Sequence, residues 1–109
     1  DKLLPFGEAK PGATGLEVLL PLTLMWAAAA EVSLPDALAR ITSAPAAVLG
    51  LASGQLGVGS VADICVFYPD ASWQLTAEAL KSRGKNSPWL GYVLTGKVKT
   101  TLVGGRVVF

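Results

Sequence analysis

Residues 18–30, VLLPLTLMWAAAA, form an uncharged run of thirteen positions bracketed by Glu17 and Glu31. This run constrains the fold more than any other stretch. A membrane-spanning helix needs about 20 apolar residues, and this run is shorter and carries Pro21 inside it. A surface helix normally shows an apolar stripe with polar residues opposite. Here Leu22, Leu24, Met25, Trp26 and the alanines at 27–30 leave almost no polar side. The run predicts a helix buried on more than one face, wedged between a sheet and other helices.

Such a helix needs many neighbours. The chain has 109 residues, which fits one domain or a piece of a larger one. Only 16% of it is charged and 51% is hydrophobic, whereas a free-standing domain carries about 25% charge. The composition predicts that much of the surface is covered, by the rest of a longer chain or by a partner subunit. The net charge of +1 gives no electrostatic case for nucleic acid. Neither a secretory signal nor a membrane span can be read, so a cytoplasmic location is the expectation. Cys65 is the lone cysteine. It excludes an internal disulfide and, lying in an apolar run, is expected to be a small core residue. The chain has no histidine. A Ser-His-Asp or Cys-His site, or a His-ligated metal, cannot be built from this chain alone.

Residues 1–14, DKLLPFGEAKPGAT, read as a loop. Gly12 has no side chain, so a ligand could approach the main chain at Pro11-Gly12; an ordinary proline-glycine turn explains the same residues. The first helix is expected over 15–31, with Thr14 and Glu17 in capping-box spacing and Pro21 starting or kinking it. Ser33, followed by Pro35 and Asp36, opens a second helix, and Ser43, followed by Pro45, caps a third that ends at Gly50. Residues 54–67, GQLGVGSVADICVF, then switch the chain from helix to strand. The glycines give turns, and residues 64–67 suit a buried strand. Asp63 at its edge reads as a turn cap accepting backbone N–H groups, against a catalytic alternative.

Residues 68–72 read as a turn, 73–76 as a short strand and 76–82 as a brief helix or turn. Residues 81–88, KSRGKNSP, carry three positive charges beside a glycine. They suit either an anion-holding loop or a solvated turn. Trp89, Leu90 and Tyr92 are expected to anchor that loop. Residues 96–109 read as a hairpin with Gly104-Gly105 as its two-residue turn.

Two sets of residues together resemble the dihydroorotase family of the amidohydrolase superfamily. One is Asp1-Lys2, Pro5-Phe6 and then Glu8 through Glu17, EAKPGATGLE. The other is residues 54–67 with KNSPWLG at 85–91 and the closing GKV … VGGRVV of 96–108. The resemblance covers essentially the whole chain. It implies an α/β parent, a (β/α)8 barrel with a satellite β-sandwich. This chain would be only the C-terminal helices and last strands, an α+β piece in isolation. Residues 1–50 would be the end of the barrel, and residues 51–109 the return into the satellite.

The resemblance also implies zinc in the parent, where it activates a water for cyclic amide hydrolysis, with ligands absent from this chain. It places Pro11 and Gly12 at the family's substrate-binding loop. Pro11, which has no N–H, stands where many active members carry an aromatic residue. No catalytic residue can be placed in this chain, and Asp63, Asn86 and the glycines read as structural. The implied partners are the rest of the parent barrel and a second copy of the parent. Aspartate transcarbamoylase joins them if the parent belongs to the group of dihydroorotase-like subunits that have lost catalysis.

Overall fold

The computed structural model describes residues 12–109. Three helices come first: α1 (Leu19–Ala29), α2 (Leu34–Ala39) and α3 (Ser43–Leu49). Three strands follow: β1 (Ile64–Gln74), β2 (Val93–Val103) and β3 (Arg106–Val107). They form one antiparallel sheet in the order β1-β2-β3. The helix-to-strand switch expected over 54–67 is present, and the whole is α+β.

Local chemistry accounts for the helix ends with two corrections. Ser33 caps α2 as expected, its Oγ accepting the Asp36 N–H at 3.4 Å. Gly50 closes α3 in the left-handed conformation (φ 68°), which costs least at glycine. The α3 cap position is Thr42 rather than Ser43, and its hydroxyl donates back to the Leu38 carbonyl at 2.7 Å. Helix α1 begins at Leu19, later than expected, with Val18 at its cap and no side-chain cap bond. The capping box of Thr14 and Glu17 does not form because Glu17 is engaged elsewhere.

The sheet is longer than its sequence suggests. Residues 68–72 are part of β1 and not a turn between strands. Pairing breaks there: Tyr68 faces Lys97 and Ser72 faces Thr95, so Pro69, Asp70 and Ala71 lie opposite Gly96 alone. Proline has no N–H for the ladder, so the strand bulges and then resumes. A turn rich in proline and aspartate was readable; its absorption into a bulge depends on a partner strand distant in sequence. The Trp73 indole N–H donates to the Gly96 carbonyl at 2.7 Å and closes the irregularity.

The closing hairpin matches expectation. Gly104 and Gly105 both have positive φ (58° and 81°), as a two-residue primed turn requires. Asp63 Oδ1 accepts the Gly104 N–H at 2.9 Å, and the Ala62 carbonyl accepts that of Gly105 at 2.9 Å. Asp63 is therefore the turn cap that its position indicated, for a turn far along the chain.

The core is small. Val18, Leu75, Leu80 and Leu94 are buried together, with Leu22, Trp73 and Trp89 packed on them. Helix α1 packs on β2 and α2. At the sheet contact, a Cβ on Gly96 (φ 107°) would meet Leu24 Cδ1 at 2.6 Å and Pro21 Cα at 3.6 Å. Glycine is what lets the strand backbone lie against the helix. Only Pro21 and Ala27 of α1 are buried, while Leu19 and Trp26 are about half exposed. Among the described residues α1 is covered on one side, short of the burial its composition predicts. The buried strand expected at 64–67 is likewise a strand but only partly buried, and Cys65 is exposed rather than a core residue. The physical reason is the same: α1 lies on β2, and the described elements are too few to cover both faces of the sheet.

Candidate functional site

The most connected polar region joins two loops far apart in sequence, residues 12–17 and 80–87. Glu17 is its hub. Its Oε2 accepts the Lys81 N–H at 2.7 Å, and its Oε1 accepts the Ser82 N–H at 2.9 Å and the Ser82 hydroxyl. Successive backbone N–H groups make a concavity suited to an anion. The loop at 81–88 thus does hold a negative group, and that group is the chain's own carboxylate. Partial burial pushes the Glu17 carboxyl up. The Ser82 hydroxyl, the two backbone N–H groups and the nearby Lys85 charge outweigh that effect and hold it below the usual carboxylate value of 4.5.

The second connection is Asn86. Its side-chain Nδ2 donates to the Gly12 carbonyl at 3.0 Å, and its own carbonyl accepts the Thr14 N–H at 2.6 Å. The two bonds grip residues 12–14 as a short rung. Gly84 lies against the same loop, where an added Cβ would stand 2.6 Å from Thr14 Oγ1. The 80–87 loop carries bonds of its own to residues of the core. Lys85 Nζ donates to the Leu80 carbonyl at 2.6 Å, Leu80 belongs to the core, and the Ser87 side chain is buried and accepts the Trp89 N–H at 3.2 Å. Trp89 anchors the loop as expected, whereas Leu90 and Tyr92 are exposed.

Of the two residues assigned to substrate binding, Pro11 lies outside the described residues. Gly12 is exposed and has φ 72°, and among the described residues no heavy atom lies within 4 Å of the place a Cβ would take. Sequence reasoning did not find the clasp formed by Glu17, Ser82 and Asn86. Glu17 fitted a local cap better than a partner 64 residues away, and Asn86, though inside the KNSPWLG stretch, showed no partner in the first loop. The only available signal was the accumulation of donors in KSRGKNSP, without an identified acceptor.

No cluster of three Cys, Asp or Glu side chains able to hold a metal occurs among the described residues, and the chain has no histidine. The residues described here do not fit a zinc site. No described helix is long and apolar enough to cross a membrane.

Comparison with known proteins places this arrangement. The chain is 41% identical over 109 residues to a dihydroorotase from Trichlorobacter lovleyi, covering 100% of this chain and 26% of the relative. It is 44% identical over 106 residues to a dihydroorotase-like protein from Pseudomonas putida, covering 97% of this chain and 25% of that protein. The chain thus spans about a quarter of the length of the curated relatives it matches. Among solved structures, the L-hydantoinase (dihydropyrimidinase) from Arthrobacter aurescens superposes with a TM-score of 0.82 at 34% identity. That match covers 92% of this chain and 23% of the hydantoinase. A sequence model described as the amidohydrolase family matches residues 24–109. These residues include the two long strands, the bulge at Gly96, the clasp loop and the glycine turn, and the chain that carries them belongs to the amidohydrolase family.

Proposed function

We propose that these residues are the C-terminal part of a dihydroorotase-like zinc amidohydrolase, one that interconverts carbamoyl aspartate and dihydroorotate in pyrimidine biosynthesis. The observation that carries the reading is the match to a dihydroorotase across the whole of this chain but only a quarter of the relative. The parent is a (β/α)8 barrel with a satellite β-sandwich. Residues 1–50 are the end of the barrel, and residues 51–109 return into the satellite. The half-exposed apolar side of α1 supports this, since a barrel helix buries that side on strands this chain lacks.

In this reading Pro11 and Gly12 lie at the mouth of the parent site, where the loops after barrel strands gather. This chain contributes position and shape, not the chemical step. When bound, zinc supplies an activated water and polarises the cyclic amide carbonyl, and its ligands belong to other parts of the polypeptide. Residues 1–109 alone hydrolyse nothing. The parent is cytoplasmic, and the rest of its barrel is the partner of the apolar faces.

A second reading has a specific observation behind it. Identity is somewhat higher to the dihydroorotase-like protein of Pseudomonas putida than to the dihydroorotase of Trichlorobacter lovleyi. The parent would then be a non-catalytic dihydroorotase-like subunit that stabilises aspartate transcarbamoylase. One experiment separates the two. Zinc per chain is measured in the full-length polypeptide carrying these residues, purified without chelator, and dihydroorotate hydrolysis is assayed on the same sample. One or two tightly held zinc ions with hydrolysis support the enzyme. Absence of both, with aspartate transcarbamoylase co-purifying, overturns it in favour of the assembly subunit.

A further inference from the structure

We propose that Asn86 is a positioning residue for substrate, its side-chain amide fixing the Gly12 carbonyl and with it the orientation of the main chain at Gly12. The inference rests on the enzyme reading above, in which the Gly12 main chain meets the substrate.

Glycine explores positive and negative φ with similar ease. Gly12 sits at φ 72°, in the left-handed region that glycine enters without a Cβ penalty. The Asn86 amide reaches the Gly12 carbonyl at 3.0 Å and contributes to selecting it. Two residues on, the Thr14 N–H is held by the Asn86 carbonyl at 2.6 Å. One asparagine therefore restrains an acceptor and a donor on the same short stretch. The restraint is anchored, because Lys85 and Ser87 on either side of Asn86 are bonded to Leu80 and Trp89 of the core region. A loop that must present main-chain groups to a small polar ligand gains affinity from being ordered beforehand. Asn86 supplies that order from a segment more than seventy residues away.

The side-chain requirement is narrow. The contact needs an N–H donor on a short stem. Aspartate has the same shape but only acceptors when ionised, and so sets a carboxylate against the Gly12 carbonyl. The backbone carbonyl that holds Thr14 is unchanged by the substitution.

The test uses the full-length polypeptide with Asn86→Asp and Asn86→Ser, and two readouts. Hydrogen exchange of the peptide spanning residues 12–16 reports the loop, and steady-state kinetics on dihydroorotate report the site. Expected for Asn86→Asp is about a tenfold rise in KM, the size of one hydrogen bond, with kcat within about threefold and exchange at 12–16 accelerated. Asn86→Ser shows the same KM-dominated split. Unchanged exchange in both variants overturns the positioning role regardless of activity. Accelerated exchange with unchanged KM overturns the link to substrate. A parallel fall in kcat with loss of thermal stability assigns Asn86 a structural role only and overturns the proposal. A wild-type protein that does not hydrolyse dihydroorotate overturns the enzyme reading and substrate positioning with it, and the exchange data still judge the clasp separately.

Discussion

Glu17→Gln is the most direct perturbation of the clasp between the two loops. The wild-type carboxylate presents two acceptor oxygens, one to the Lys81 N–H and one to the Ser82 N–H and hydroxyl. Glutamine keeps one carbonyl oxygen and sets an NH2 group against donors at the other position. A hydrogen bond to a charged group contributes about 1.5–3 kcal/mol, and Glu17 is only partly buried, so solvent screening lowers that figure. The expected loss is about 1–2 kcal/mol in local opening, or roughly a 5–30-fold fall in protection of the Lys81 and Ser82 amides. The assay is native-state hydrogen exchange on the full-length polypeptide, expressed as protection factors so that intrinsic pH effects cancel.

The pH dependence gives the sharper check. The Glu17 carboxyl is held below its ordinary value of 4.5 in the folded chain. Its contribution is therefore complete above 4.5 and lost as pH falls through the lowered folded value. Wild type and Glu17→Gln should differ at neutral pH and converge in acid, once the wild-type carboxyl is protonated. A difference in protection that stays constant from neutral pH to well below 4.5 would refute the reasoning, as would no difference at pH 7.

Two further substitutions test the scaffold. Gly54→Ala places a Cβ 2.8 Å from the Thr42 carbonyl oxygen at a residue with φ 79°; a backbone oxygen cannot yield as a side chain can. The strained φ alone costs roughly 1–2 kcal/mol, which in a polypeptide of the relatives' length, about four times this chain, lowers thermal unfolding by roughly 1–3 °C. Leu94→Ala empties a site with 0% exposure at the centre of the small core and is expected to cost about 2–5 kcal/mol. Solvent denaturation showing less than about 1 kcal/mol would mean that this cluster is not a core.

Local features were legible wherever a residue's partner is near in sequence or is the backbone in general. Ser33, Gly50 and the Gly104-Gly105 turn behave as their chemistry dictates because each answers a geometric need within a few residues. Asp63 belongs with them in kind, since an acidic residue beside a turn accepts N–H groups, although the turn it caps lies at Gly104. Glu17 shows the opposite case. A local partner was available on paper, and a stronger one, two consecutive N–H groups with a hydroxyl, arrived from residues 81–82. The pattern around Asn86 did not name its partner, because its contact with Gly12 exists only once both loops are folded against each other.

By itself the sequence determined the composition of each element, the helix-to-strand switch, the closing hairpin and the demand for more neighbours than the chain contains. Those follow from periodicity, turn chemistry and apolar content, which act along the chain. Only the tertiary structure decided that 69–71 becomes a bulge opposite Gly96, that Cys65 is exposed, and that Glu17 and Asn86 tie two loops into one support. Such outcomes turn on which distant groups compete for the same donor, acceptor or surface, and folding settles that competition across the sheet and between the loops.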